Sequence, residues 1–142
     1  MRKISPIIVL LVVALFTFSC RKDSIDTDSS VTLNFSTDTV LFDTVFATFG
    51  STTKRLKIYN PTNKTVNISS ISVGNGANSQ FRINVDGISG NSHSNILIDG
   101  KDSLFIFAEV TIDPNNLSNP YIVTDKIKFI TNGNSQSVDL VA

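Results

Sequence analysis

The stretch SLFIFAEVTI at positions 103–112 sets Leu104, Ile106, Ala108, Val110 and Ile112 in step. Successive Cβ atoms of a strand point to opposite faces of a sheet, so a side-chain period of two is what a half-buried strand requires. The same alternation returns along the chain. In KRLKIYN, Leu56 and Ile58 alternate with Arg55, Lys57 and Tyr59. Val66, Ile68, Ile71 and Val73 follow, then Phe81, Ile83 and Val85, then Ile127 with Phe129 and Val138 with Leu140. The runs predict strands over 31–35, 39–46, 54–60, 65–73, 80–88, 103–112, 121–131 and 135–141. Turn residues punctuate them: Asn60-Pro61, Gly74-Asn75-Gly76, Asp86-Gly87, Asp99-Gly100 and Asn132-Gly133. Asn-Gly and Asp-Gly supply the positive φ angles of tight hairpins. No helical stripe follows residue 20. Seven or eight short strands with regular turns predict an all-β chain, an immunoglobulin-like antiparallel β-sandwich over 31–142.

One run does not fit a straight strand. In DTVLFDTVF (38–46) an Asp-Thr-Val triplet returns after five residues, which would place Val40 and Val45 on opposite faces. Both can face the core only if the strand bends, and Asp43 is the expected site of a bulge or kink. The first strand is thus expected to begin on one sheet and finish on the other.

The first twenty residues are different in kind. Met1-Arg2-Lys3 is a short basic start, 4–18 is almost wholly apolar, and Ser19-Cys20 precedes the polar run RKDSIDTDSS. This is the layout of an export signal, and its apolar part is short of the ~20 residues that span a bilayer. The chain has one Cys, so no internal disulfide forms. Its position at the cleavage point resembles the lipobox of bacterial lipoproteins, in which that Cys is acylated. The expected organisation is a signal peptide over 1–19, a flexible tether over 20–30 beginning at lipidated Cys20, and the sandwich over 31–142. Lys22-Asp23 resembles the tag that carries Bacteroidetes lipoproteins to the outer face of the outer membrane. The expected location is therefore the outer membrane, lipid-anchored and surface-exposed.

FATFGSTTKRLKIYNPTNKTVNISSISV (46–73), FRINVDG (81–87), DSLFIFAEVTIDP (102–114) and DKIKFITNGNSQSVDLVA (125–142) together resemble the Hydin-like, ASH-type immunoglobulin-like domain. Behind a lipoprotein signal, the whole also resembles the N-terminal part of larger Bacteroidetes surface lipoproteins. The resemblance implies a scaffold or binding module, with a following domain or protein as partner.

Residues that could do chemistry are few. Lys+Arg and Asp+Glu are both 12, which gives no reason to expect nucleic acid as a partner. The one His, His93, lies in GNSHSN and reads as a solvent-facing turn residue. Glu109 is the one Glu. A Ser–His–Asp or Cys–His arrangement finds no partners at readable spacing, so an enzyme is not expected. Asp23, Asp26 and Asp28 lack the Gly and terminal Glu of a calcium loop, and no metal or cofactor is expected. Asp followed by Ser or Thr and an apolar residue resembles the O-glycosylation acceptor of Bacteroidetes, which marks Ser24, Thr39, Thr44 and Ser103. The second candidate is a face. Arg55, Lys57 and Tyr59 on one strand, and Phe105 and Phe107 on its expected neighbour, are out of step with the core, and exposed Phe residues mark interaction surfaces. The expected function is a non-enzymatic module for adhesion, assembly or spacing. The alternative is a carbohydrate-binding accessory domain, with Tyr59, Phe105 and Phe107 as stacking residues.

Overall fold

A computed structural model describes residues 24–46, 51, 53–113 and 121–142. Cys20 and the signal lie outside these. Eleven strands are found among the described residues: β1 (Ile25–Asp26), β2 (Asn34–Phe35), β3 (Thr39–Leu41), β4 (Lys54–Tyr59), β5 (Thr65–Val73), β6 (Phe81–Val85), β7 (Ile88–Gly90), β8 (Ser92–Ile98), β9 (Ser103–Val110), β10 (Thr124–Thr131) and β11 (Asn134–Val141). They form two sheets. The first runs β1-β5-β10-β11-β3 with β8 also on β5, and the second runs β2-β4-β9-β6-β7.

The in-step residues meet between the sheets. Leu56, Ile58, Ile83 and Ile106 of the second sheet and Ile68, Ile71, Ile127 and Leu140 of the first are all at most 1 % exposed. Each such side chain contributes about 1.5–3 kcal/mol by leaving water. Phe35 packs on Phe129 at 4.8 Å between ring centroids, and Phe42 on Phe81 at 5.6 Å. The expected immunoglobulin-like sandwich is the fold.

The repeated triplet resolves differently from the expectation. The chain does change sheets, since β2 pairs with β4 and β3 pairs parallel with β11. The change falls at Thr37, between Ser36, whose N–H still donates to Lys57 O, and Asp38, whose carbonyl already accepts from Asp139 N, and so ahead of the first triplet rather than at Asp43. The strand then stops at Leu41 instead of running to 46. Val40 and Phe42 are buried and Val45 packs against the core, because the chain leaves extended pairing between the two triplets.

The expected tether is not free over its second half. Ile25 and Asp26 pair parallel with Thr65 and Val66. Beyond them, three amides spaced by two residues hold the chain by its carbonyls. Asn132 Nδ2 donates to Asp26 O and Asp28 O at 3.0 and 2.9 Å, and Asn134 Nδ2 donates to Ser29 O and to Val31 O. Gln136 exchanges two bonds with the backbone of Leu33, at 2.8 and 2.9 Å. Asp28 closes its own turn by accepting from Ser30 N at 2.8 Å, and that backbone bond lowers its pKa. A polar composition suggests a leash; apart from Thr65 and Val66, the partners that order it lie more than a hundred residues away.

Strand β8 was not foreseen, because its alternation breaks at Ser94-Asn95. Asn95 adopts φ 56°, and the break lies across from a second one at Ser69-Ser70 of β5, so the two strands stay in register. His93 is accordingly a strand residue and not a solvent-facing turn. It stands opposite Ile71, and a Cβ on Gly90 would lie 3.5 Å from its Cε1 and Nε2.

Asn60 ends β4 and is 2 % exposed. Its Nδ2 donates to Lys64 O at 2.8 Å and to Ile98 O and Asp99 O at 3.0 Å. Its Oδ1 accepts from Thr62 N and Thr62 Oγ1, both at 2.9 Å. Gly100 lets the two loops meet: a Cβ there would stand 2.4 Å from the Asn63 carbonyl. The positive φ of that turn falls on Lys101 (64°), not on the expected glycine.

Two predictions follow from these bonds. Asn60→Asp keeps the shape but turns a buried oxygen toward three carbonyls, so urea unfolding should show a loss of about 3 kcal/mol or more. A loss below about 1 kcal/mol would remove the clamp from the account. Asn132→Ala with Asn134→Ala should leave the sandwich folded while amides at 26–31 exchange with solvent about tenfold faster or more. Unchanged protection there would show that the strand pairing alone orders the segment.

Candidate functional site

Strands β4 and β9 are antiparallel neighbours, with Arg55 opposite Phe107, Lys57 opposite Phe105 and Tyr59 opposite Ser103. Because Leu56, Ile58, Ile106 and Ala108 point inward, the sequence-marked residues Arg55, Lys57, Tyr59, Phe105 and Phe107 all fall on one outer face. Strand β6 extends it with Arg82 opposite Glu109 and Asn84 opposite Phe107, and β7 adds Ser89 opposite Asn84. Arg82, Asn84 and Ser89 were not singled out in the sequence; β6 gave only its inward residues a pattern.

The rings are open to solvent: Tyr59 is 38 % exposed, Phe105 36 % and Phe107 42 %. Cations lie over two of them. The Arg55 guanidinium is 5.0 Å from the Phe105 centroid, and Lys57 Nζ is 4.7 Å from that of Tyr59 and 5.3 Å from that of Phe105. Each contact is worth about 0.5–1 kcal/mol at an exposed site. Among the described residues neither cation has a carboxylate within ion-pair distance; the one pair found joins Lys126 to Asp139 at 3.3 Å, on the other sheet. Beside Phe107, a depression of about 340 Å³ is bordered by Arg82, Asn84, Gly87, Ser89 and Glu109.

A larger depression, about 530 Å³, lies on the first sheet along Lys126, Lys128 and Asp139. Its acids are already engaged. Asp125 accepts from Asn75 N, from Ser79 Oγ at 2.6 Å and from Lys126 N at 2.8 Å, while Asp139 pairs with Lys126. It offers a ligand no unengaged carboxylate and no exposed ring. Exposed Leu41, Tyr121 and Ile122 gather at one end of the sandwich. That end borders 114–120, outside the described residues, and it is no evidence of a free surface.

The sequence-marked acceptors are scattered. Ser24 and Thr44 are exposed, while Thr39 on β3 and Ser103 at the start of β9 are half-buried. Ser103 N donates to Asp102 Oδ1 at 2.7 Å, so a local cap accounts for that Asp-Ser pair. No group of three or more His, Cys, Asp or Glu residues that could hold a metal is found among the described residues.

No protein-family model matches the chain, and no curated protein matches it either. Solved structures do. The ASH / PapD-like domain of human CEP192 (PapD-like domain 7) is similar with a TM-score of 0.50 and 8 % identity, over 86 % of this chain and 89 % of that one. The periplasmic chaperone SfaE gives 0.43 and 11 %, over 78 % of this chain and 56 % of that one. A FixG-related protein from Vibrio parahaemolyticus gives 0.43 and 13 %, over 79 % and 92 %. At such identities the likeness concerns fold alone. The chain has an immunoglobulin-like fold, with an ASH/PapD-like domain among its structural neighbours.

Proposed function

We propose that this chain is a non-enzymatic binding module of the cell envelope, serving adhesion or assembly through the outer face of its five-stranded sheet. The observation behind this reading is the concentration of Tyr59, Phe105 and Phe107, each more than a third exposed, with Arg55 and Lys57 stacked on the first two and without acidic partners among the described residues. A face of this kind leaves apolar area in water that a docked partner would cover. Anchoring at the outer membrane surface through acylated Cys20 completes the proposal and rests on the export signal. At about 0.8 kcal/mol per buried CH₂, two or three acyl chains retain a protein on a bilayer.

Two partners were foreseen: a protein or following domain, and a glycan. Exposed rings favour the second over a purely structural face, and the depression beside Phe107 adds a cavity of ligand size.

Phe105→Ser with Phe107→Ser should abolish association of the protein with its envelope partner while shifting the unfolding free energy by less than about 1.5 kcal/mol, since neither ring is in the core. Pull-down from crosslinked envelopes reads the first and urea unfolding the second; loss of folding with association intact would sink the docking role. Independently, the intact mass of detergent-extracted protein should correspond to a chain beginning at Cys20 plus acyl chains. A mass beginning at Met1, or at another cleavage site without lipid, would reject the anchor.

A further inference from the structure

The depression beside Phe107 has chemistry that the rest of the face lacks. Phe107 has no cation over its ring among the described residues, unlike Phe105 and Tyr59, so a flat apolar ligand surface can lie on it. Polar groups flank that ring. Asn84 Nδ2 donates to Ser89 Oγ at 3.1 Å, which orients the amide and the hydroxyl along one row. Arg82 Nη1 is fixed by Ser79 O at 2.7 Å and Phe81 O at 2.9 Å, so its guanidinium is held in place at the rim before any ligand arrives. Glu109 stands opposite it.

A pyranose fits this set. One face of the ring is C–H and stacks on an aromatic side chain; its edge hydroxyls pair with amide, hydroxyl and carboxylate groups. A carboxylate on the sugar matches a pre-positioned guanidinium. Charge points the same way. Acids outnumber bases from Ser24 to Ala142, yet the outward positions of β4, β6 and β9 carry Arg55, Lys57 and Arg82 against Glu109, with Asp86 and Asp102 in the flanking turns. Arg55 and Lys57 lie two residues apart on β4, about 7 Å along the strand, within reach of carboxylates on neighbouring sugars. An acidic peptide would satisfy the cations but would leave the hydroxyl-and-amide-lined depression beside an uncapped ring without a use.

We propose that the depression bordered by Arg82, Asn84, Ser89 and Phe107 binds one residue of a uronate-bearing polysaccharide, and that Arg55 and Lys57 bind the carboxylates of the next residues. The assignment rests on the binding-module reading above and names its ligand class.

The test is titration calorimetry of the detergent-solubilised mature protein with polygalacturonate, neutral galactan and poly-glutamate. Polygalacturonate should bind best, and more weakly as salt rises. Phe107→Leu, which keeps an apolar residue on the strand, should weaken it about tenfold, and Arg55→Gln with Lys57→Gln should flatten the salt dependence. Equal binding of poly-glutamate, equal binding of neutral galactan, or wild-type affinity in Phe107→Leu each overturns the assignment. No binding of polygalacturonate, while Phe105→Ser with Phe107→Ser still abolishes envelope association, rejects the glycan and leaves the binding module standing. Association that survives that double variant rejects the module itself.

Discussion

The buried amide of Asn60 sets the geometry on which the rest depends. It closes β4 where the chain must turn, ties that turn to the loop between β8 and β9, and its backbone N–H donates to Asp102 O at 3.0 Å. The register of β4 on β9 starts from that point. A slip of one residue would exchange the two faces of a strand. Leu56 and Ile58 would then meet water, and Arg55 and Lys57 the core. The aromatic–cationic face is thus a consequence of a clamp buried at the end of the sandwich, about 17 Å along the strand from the Arg55–Phe107 pair. Gly100 belongs to the same device, because any larger residue would hold the two loops apart.

Strands whose neighbours lie on both sides were the legible ones. The alternation of β4, β6, β9, β10 and β11 comes from burial on one face, and burial on one face is what a period of two reports. What escaped was ordered by other forces. The segment at 25–33 is held through its carbonyls by Asn132, Asn134 and Gln136, and a carbonyl leaves no mark on a residue pattern. Strand β8 lies on the outer edge of β5, opposite β10, and its break at Asn95 hid the inward set of His93, Ile96 and Ile98. A left-handed residue in an edge strand also interrupts the row of free backbone groups that would otherwise template pairing with another chain. The feature that obscured the strand is therefore one that protects it.

The five marked residues of the face were legible for a related reason. Side chains out of step with the core must point outward, and aromatic residues there stand out against the serines at the same positions of the other sheet, Ser135 and Ser137. Arg82, Asn84 and Ser89 carry no such contrast, since polar outward residues are what any exposed strand shows. Only the pairing of β6 with β9 and β7 brings them beside Phe107. A depression built from ordinary surface residues becomes visible once register is known, and not before.

The two outer faces illustrate what separates a finished surface from an unfinished one. On the first sheet, Lys126 meets Asp139 and Asp125 meets three donors, so these charged groups are answered within the chain. On the second, cations lie on rings rather than on acids. A cation–π contact shields part of a ring without neutralising the cation, so the charge remains available to an incoming carboxylate at little cost in rearrangement. The stack also restrains Arg55 and Lys57, long side chains that otherwise lose up to about 2 kcal/mol of rotamer freedom each on binding. A face of rings and restrained cations, on rigid strands whose register is fixed from the core, is the pre-organisation that the proposed anionic partner requires. The same residues arranged on loops would not be.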